Sequence, residues 1–260
     1  MGQPQLGKMD VTLVEYYGDK PPQIAELIQD TISELRNMLG SGFCPYSLKQ
    51  VHGTIIGLEG LRMGKYIINT NYAELRDETR SMDLNTALQI LKDESLLPFD
   101  VTIGGFSNGG QYSFTSRGVV PYLRSFSLQG RYAVAMGWPY SNGKYSQSID
   151  KLRHAFNSAN ILHKYHASPD SEDNDFFFVL GNIVKKNADV IRLEDAQSHL
   201  RSFLAAYKPV RVPISRDYLR VVAYIDTKLP PHTSCCYTLD EAEEKINENQ
   251  SHYREASTKQ

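Results

Sequence analysis

The sequence has no long apolar run, few cysteines and almost no excess of charge, and each absence argues against a class of protein. The longest apolar run, Phe176 to Leu180, is far shorter than the roughly 20 residues of a membrane-spanning helix. Three cysteines, Cys44 and the pair Cys235-Cys236, show no Cys-x-x-Cys spacing, which argues against a disulfide framework or a cysteine-based zinc site. A net charge of −2 is too small for a general nucleic-acid binder. We therefore expect neither a membrane nor nucleic acid in general as a partner.

Several common enzyme motifs are also missing. The sequence contains no His-Glu-x-x-His pattern. The glycine-rich stretch from Gly104 to Gly110 lacks the order of a phosphate-binding loop and indicates a hairpin turn instead. The N-terminus, Met1-Gly2-Gln3-Pro4, has no signal-peptide pattern, so we predict a reducing, cytoplasmic location.

What is present is the composition of a globular protein. The 260 residues are 41% hydrophobic and 22% charged, enough to bury a core in one large domain or two small ones. Helical and strand-like segments interleave irregularly, which favours an α+β fold over a doubly wound parallel sheet. We predict one domain over residues 1–240, made of two lobes at about 10–137 and 138–225, followed by a charged helical tail at 241–260.

The local patterns behind this prediction are of two kinds. Apolar residues recur at helical spacing in the segments Gln23–Leu39, Met82–Leu96, Ser148–Ala159 and Leu193–Tyr207. β-Branched and aromatic residues between glycines predict the following strands: Val11–Tyr17, Lys49–Gly60, Phe99–Phe106, Gln111–Phe114, Gly118–Leu123, Ser125–Leu128, Arg131–Gly137, Asp175–Val184 and Val210–Ile225.

The triplet His52-Gly53-Thr54 is the most informative motif for chemistry. Side chains two residues apart in a strand share a face, so His52 and Thr54 are expected to project together while Gly53 allows close approach. An imidazole can move a proton to or from a phosphoester oxygen, and a hydroxyl can donate to a nonbridging oxygen. The pair is therefore predicted to form half of an acid–base site.

The surrounding layout resembles that of the two-histidine (2H) phosphoesterases. A strand, a long helix and a strand reading Gln50-Val51-His52-Gly53-Thr54-Ile55-Ile56-Gly57 are similar to the first half of that family, and Leu97 to Phe106 is similar to its following strand. The resemblance covers roughly residues 10–225, by layout more than by motif. It implies two pseudo-symmetric lobes with antiparallel sheets facing a central cleft, each lobe supplying one His-x-Thr or His-x-Ser.

The resemblance also implies a function. Members of the family act on cyclic or linear phosphodiesters of RNA and nucleotides without a metal, and one histidine accepts a proton while the other donates one. We therefore predict a phosphodiesterase-like protein centred on His52 and Thr54, with a nucleotide or short RNA 2′,3′-cyclic phosphate as partner and neither cofactor nor metal.

The second histidine is missing from this sequence. The strand in the second-motif position begins Phe176-Phe177-Phe178-Val179, so either Phe176 and Phe178 or Phe177 and Val179 occupy the His and Thr positions. We therefore leave open whether the protein is an enzyme. The alternatives are a nucleotide-binding or RNA-binding module without turnover, in which the phenylalanines stack a base, and an interaction scaffold.

Three groups are candidates to replace the missing histidine. The first is the pair His163 and His166, with His166 preferred; the second is His232, in a formal His-x-Ser; and the third is a proton relay through Asp175 or Tyr165. The acidic residues near His163 lack the fixed spacing of metal ligands, so no metal site is predicted. For substrate binding we select residues with cationic or aromatic side chains: Arg124, Arg131, Lys164, Tyr165 and Phe177.

Overall fold

The computed structural model describes residues 10–63, 66–184 and 190–247. Its strands are β1 (Asp10–Glu15), β2 (Phe43–Pro45), β3 (Gly53–Gly57), β4 (Gly60–Met63), β5 (Tyr66–Asn69), β6 (Phe99–Ile103), β7 (Phe126–Gln129), β8 (Tyr132–Trp138), β9 (Tyr140–Ser141), β10 (Lys144–Tyr145), β11 (Phe176–Ile183), β12 (Val210–Ile214), β13 (Leu219–Tyr224) and β14 (Cys235–Tyr237). Its helices are α1 (Pro22–Leu39), α2 (Thr70–Arg76), α3 (Leu84–Ile90), α4 (Pro121–Arg124), α5 (Ser148–Ala155), α6 (Val190–Ala206) and α7 (239–247).

Helix α1 begins and ends where the local sequence pattern predicts. Pro22 occupies the first turn, where no amide hydrogen is needed, and Gly40 ends the helix with a positive φ of 51°. A stripe of apolar side chains, including Leu27 and Leu35, is buried against the sheet. The prediction for this segment is confirmed to within one residue.

One large antiparallel sheet organises the fold. Its strands run in the order β12-β6-β8-β11-β3-β1-β13-β14, with β2 added on β11 and β7 on β8. The predicted α+β class with antiparallel sheet structure is therefore confirmed. Strands from both sides of residue 137 alternate in this order, since β11 lies between β8 and β3 and β13 lies beside β1.

The two halves of the sheet meet at a single residue pair. Phe178 of β11 is opposite Gly53 of β3, whereas β11 pairs with β8, and β1 with β3, over several residues. A side chain on Gly53 would overlap the ring of Phe176, so the absence of a Cβ allows the two strands to come together. The junction thus depends on a glycine and an aromatic ring.

The main core fills one face of the sheet. Leu13, Phe176 and Phe178 pack there against apolar side chains of α1 and α6. Smaller apolar clusters lie on the opposite face, which we call the site face: Val14, Tyr17 and Val222 on one half, and Met136 and Trp138 on the other.

Across the described ranges, no helix combines the length and apolar character that crossing a bilayer requires.

Some predicted elements are wrong. Residues 111–114 form no strand, and the predicted strand Gly118–Leu123 is instead a turn followed by α4, which begins at Pro121 because proline suits a first helical turn. The predicted strand over Lys49–Gly60 is shorter, because residues 47–51 form a turn closed by hydrogen bonds to the Ser47 carbonyl. His52 therefore immediately precedes β3.

The C-terminal helix begins with a capping box. Thr238 Oγ1 accepts from the backbone amide of Glu241, and Glu241 Oε2 accepts from that of Thr238. Leu239 and Ala242 of α7 are buried. Residues 248–260 of the predicted tail lie outside the described residues.

We predict that Gly53→Ala destabilises the protein by about 1–3 kcal/mol, the usual cost of overpacking a core. The added methyl group would overlap the Phe176 ring. Urea denaturation of Gly53→Ala, Phe176→Leu and the double variant measures the coupling: the alanine should cost less when residue 176 is smaller. Equal costs in both backgrounds would contradict this packing account.

Candidate functional site at the junction of two strands

The register at the sheet junction decides which residues share the site face. Because Phe178 is opposite Gly53 in an antiparallel pair, strand alternation puts Phe177 and Val179 on the other face of the sheet from Phe178, the face to which Thr54 belongs. Thr54 is also paired with Val14, which lies on the site face. We call His52, Thr54, Phe177 and Val179 the square, since two residues of the His-x-Thr motif and two apolar residues of β11 share the site face at the junction of the strands.

His52 is held in one orientation at the edge of this square. Its Nδ1 lies 2.7 Å from the carbonyl oxygen of Gln50, which can only accept, so Nδ1 carries the hydrogen and Nε2 carries the lone pair. The ring of Tyr17 meets it edge-on at 5.8 Å. Burial lowers the pKa of His52 to about 4, with a smaller contribution from the charge of Lys20. The imidazole is therefore a neutral base at pH 7.

Lys20 is a neighbour of the site that the sequence analysis missed. Its Nζ donates to the carbonyl oxygens of Gly18, at 2.9 Å, and Leu48, at 2.5 Å. Burial lowers the pKa of this ammonium to about 7. The only sequence signal is its place directly before Pro21-Pro22, where the chain turns from β1 into α1.

Arg153 joins β3 to the segment that leads into β11. Its Nε donates to the Ile55 carbonyl at 2.8 Å and its Nη2 to the Thr54 carbonyl at 3.1 Å. Its Nη1 donates to a carboxylate oxygen of Asp173 at 3.0 Å and to the Asp175 carbonyl at 3.2 Å. The side chain is only 1% exposed. Arg153 thus supplies hydrogen bonds between the two strands where they separate, and it fixes the backbone of Thr54.

His163 lies in the same buried network. Its Nε2 is 2.8 Å from Asp173 Oδ2. Burial and the charge of Arg153 lower the pKa of His163 to about 4, so it is neutral at pH 7 and donates through Nε2. Although burial opposes ionisation of Asp173, His163 and Arg153 together lower the pKa of that carboxyl to about 2. His163 and Asp173 therefore form a hydrogen bond between a neutral imidazole, which donates, and a carboxylate, which accepts.

The histidines predicted to replace the missing one are placed very differently. His166 is 0% exposed, and its Nε2 lies 3.0 Å from Asp150 Oδ1. His232 is exposed on the loop after Leu229, whose carbonyl accepts from Tyr17, the neighbour of His52. The loop that carries His232 is therefore attached at the edge of the site, whereas the contacts of His166 are with the Asp150 cluster.

Asp175, proposed as a proton relay, is an acceptor at both oxygens. Oδ1 accepts from Trp138 Nε1 at 2.7 Å and from the Ser116 hydroxyl at 2.6 Å. Oδ2 accepts from Arg124 at 2.5 Å and lies 3.5 Å from Arg117 Nε. The predicted phosphate ligand Arg124 is thus paired with a carboxylate.

The other predicted binding residues are at three places. Tyr165 is exposed, with the guanidinium carbon of Arg117 4.4 Å and the ammonium of Lys164 4.8 Å from its ring centroid. Arg131 is exposed over the ring of Tyr132 at 5.4 Å. Phe177 is a member of the square and shares the site face with Thr54.

Comparison with known proteins finds similarity at the level of structure alone. No family model matches the chain, and no curated protein matches it. The crystal structure of TT0787 of Thermus thermophilus is 14% identical, with 89% of this chain and 95% of that chain covered at a TM-score of 0.41. E. coli LigT complexed with ATP is 13% identical, with 88% and 93% covered at a TM-score of 0.35.

We predict that Arg153→Met costs about 3–5 kcal/mol of folding free energy, because it leaves the buried Asp173 carboxylate without its guanidinium. Arg117→Met is the matched control: Arg117 reaches the same carboxylate at 3.4 Å but is half exposed, so its loss should cost less than about 1 kcal/mol. Urea unfolding of both variants measures the difference. Similar costs would show that Arg153 does not bridge the strands.

Proposed function

We propose that this protein binds a phosphodiester of a nucleotide or of an RNA end on the site face, with His52 as its acid–base group. The register at Phe178 and Gly53 carries the proposal, because it sets the two motif positions of a 2H-like site side by side. A His-x-Thr at residues 177 and 179 would share the site face with His52 and Thr54. The first half of such a site is present, and apolar residues occupy the second half.

The chemistry follows from the state of His52. Its free Nε2 lone pair can take a proton from an attacking hydroxyl or water at any pH well above 4. The Thr54 hydroxyl can donate to a nonbridging phosphate oxygen, and Lys20, whose pKa of about 7 leaves it partly charged at neutral pH, favours an anion in its protonated form. Since no second imidazole stands in the square, the departing oxygen lacks a positioned acid, and turnover is expected to be slow.

The second candidate is binding without turnover. Phe177 at the second histidine position favours it, because a half-buried aromatic ring offers a stacking surface to a base and cannot transfer a proton. The Arg131–Tyr132 pair lies on the adjacent strand β8 and its preceding turn. Both candidates share the same ligand class and differ in whether a bond is broken.

We predict slow, His52-dependent hydrolysis of 2′,3′-cyclic nucleotides and of short RNAs ending in a cyclic phosphate. His52→Ala should abolish it, and an added chelator should leave it unchanged. Because the base form of His52 forms as pH rises through its lowered pKa, the rate should fall only near pH 4 rather than near 6.5. His232→Ala and His166→Gln, assayed in parallel, test whether either supplies the second proton transfer.

The outcomes separate the two candidates. Full activity of His52→Ala would exclude catalysis by this residue. No turnover by the wild-type protein, together with nucleotide binding by calorimetry, would establish the binding module. Absence of both turnover and binding would reject the proposed function.

We also predict that restoring the second motif accelerates turnover. The double variant Phe177→His with Val179→Thr should raise the rate at least about tenfold, since a positioned acid–base group typically contributes 10²–10⁴-fold. The control is Phe176→His with Phe178→Thr, which places the same side chains in the main core, where both residues are fully buried. This control should be strongly destabilised and gain nothing. A faster control, or no gain in the first variant, would contradict the assignment of residues 177 and 179 to the site face.

A further inference from the structure

We propose that Asp150, His154 and His166 bind a divalent transition-metal ion such as Zn²⁺. Asp150 and His154 lie one turn apart on α5, and His166 comes from the loop that follows. One donor atom from each residue lies within 4.8 Å of the others. The proposal is independent of the chemistry at His52.

The two oxygens of Asp150 face the two imidazoles. Oδ1 is 3.0 Å from His166 Nε2, and Oδ2 is 3.6 Å from His154 Nε2. Oδ1 also accepts from the backbone amide of Asp173 at 2.7 Å, which holds the carboxylate in place. A metal ligand that is fixed by a further hydrogen bond is typical of metal sites.

A second observation concerns the spare nitrogens of the cluster. Among the described residues, the Nδ1 atoms of His163 and His166 are buried and have no hydrogen-bond partner. An unpaired buried acceptor costs about 1–3 kcal/mol, so the interior around these histidines is polar and incompletely satisfied as it stands, although His163 is not one of the three proposed ligands. Three of the seven histidines of the chain meet here, with rings 3.9 Å apart for His154 and His166 and 5.2 Å apart for His163 and His166.

The donor set selects the metal. Two imidazoles and one carboxylate suit Zn²⁺ and its transition-metal neighbours, whereas Mg²⁺ and Ca²⁺ prefer oxygen ligands alone. Both Nε2 atoms face acceptors in the structure, His166 towards Asp150 and His154 at 3.1 Å from the Ser171 carbonyl oxygen, so each must give up its hydrogen to bind the ion. The two rings are nearly parallel, at 11°, so His154 must also turn away from Ser171 for both nitrogens to meet one ion. Its side chain is 29% exposed and accepts such a turn, whereas His166 is enclosed.

The bound ion would stabilise a particular part of the fold. It would tie α5 to the loop that carries Lys164 and Tyr165 and that continues to Asp173, the partner of Arg153. Because the ligating nitrogens must give up protons to bind the ion, affinity should decrease as the pH is lowered.

Calorimetric titration of the untagged, chelator-treated full chain with Zn²⁺ tests the site. We expect one ion per chain, no binding of Mg²⁺, and a Zn²⁺-dependent rise in Tm. His154→Ala and His166→Gln should each weaken binding by at least the roughly 10- to 100-fold that loss of a supporting partner costs elsewhere. Circular dichroism of each variant checks that it is folded.

His199→Ala is the matched control, because His199 is an exposed helical histidine 2.7 Å from a carboxylate oxygen of Glu34. Its Zn²⁺ affinity should equal that of the wild type. The proposal is overturned if the wild-type protein binds no Zn²⁺, if folded His154→Ala binds as tightly as wild type, or if His199→Ala loses as much affinity as His154→Ala.

Discussion

The buried guanidinium of Arg153 is the interaction on which the site depends. Strands β3 and β11 pair at one position and then separate, and backbone carbonyls left without a partner inside a protein are costly. Arg153 donates to the carbonyls of Thr54 and Ile55 on one side and to Asp173 on the other. The two halves of the sheet are thereby joined by a side chain where they lack a continuous ladder.

The charge of that side chain explains the acidic segment before β11. A buried arginine requires a compensating anion, and Asp173 supplies it. Asp175 compensates the charge of Arg124 in the same way, and it also accepts a hydrogen bond from the neutral indole of Trp138. These aspartates therefore hold the fold together just before β11 begins, while the residues proposed to face the ligand are Thr54 on the neighbouring strand β3 and His52 immediately before it.

The sequence was most informative where short-range periodicity decides the structure. Helix α1 could be predicted almost to the residue, since its apolar stripe, its initial proline and its final glycine agree. The region from residue 111 to 123 was mispredicted, because β-branched residues there suggest strands while Pro121 starts a short helix in the fold. Arg153 carried no local signal, since its partners on β3 are 98 and 99 residues away along the chain, and the only local signal of Lys20 was its place before Pro21-Pro22.

By itself, the sequence determined the α+β class, the His-x-Thr motif at residues 52–54 and the absence of a second histidine in the corresponding strand. Only the tertiary structure decided that Phe177 and Val179, rather than Phe176 and Phe178, share a face with that motif. The tertiary structure also decided that His166 lies within hydrogen-bond distance of Asp150. Pairing between residues more than a hundred positions apart is set by the packing of the whole sheet, and strand alternation alone does not record which register that packing selects.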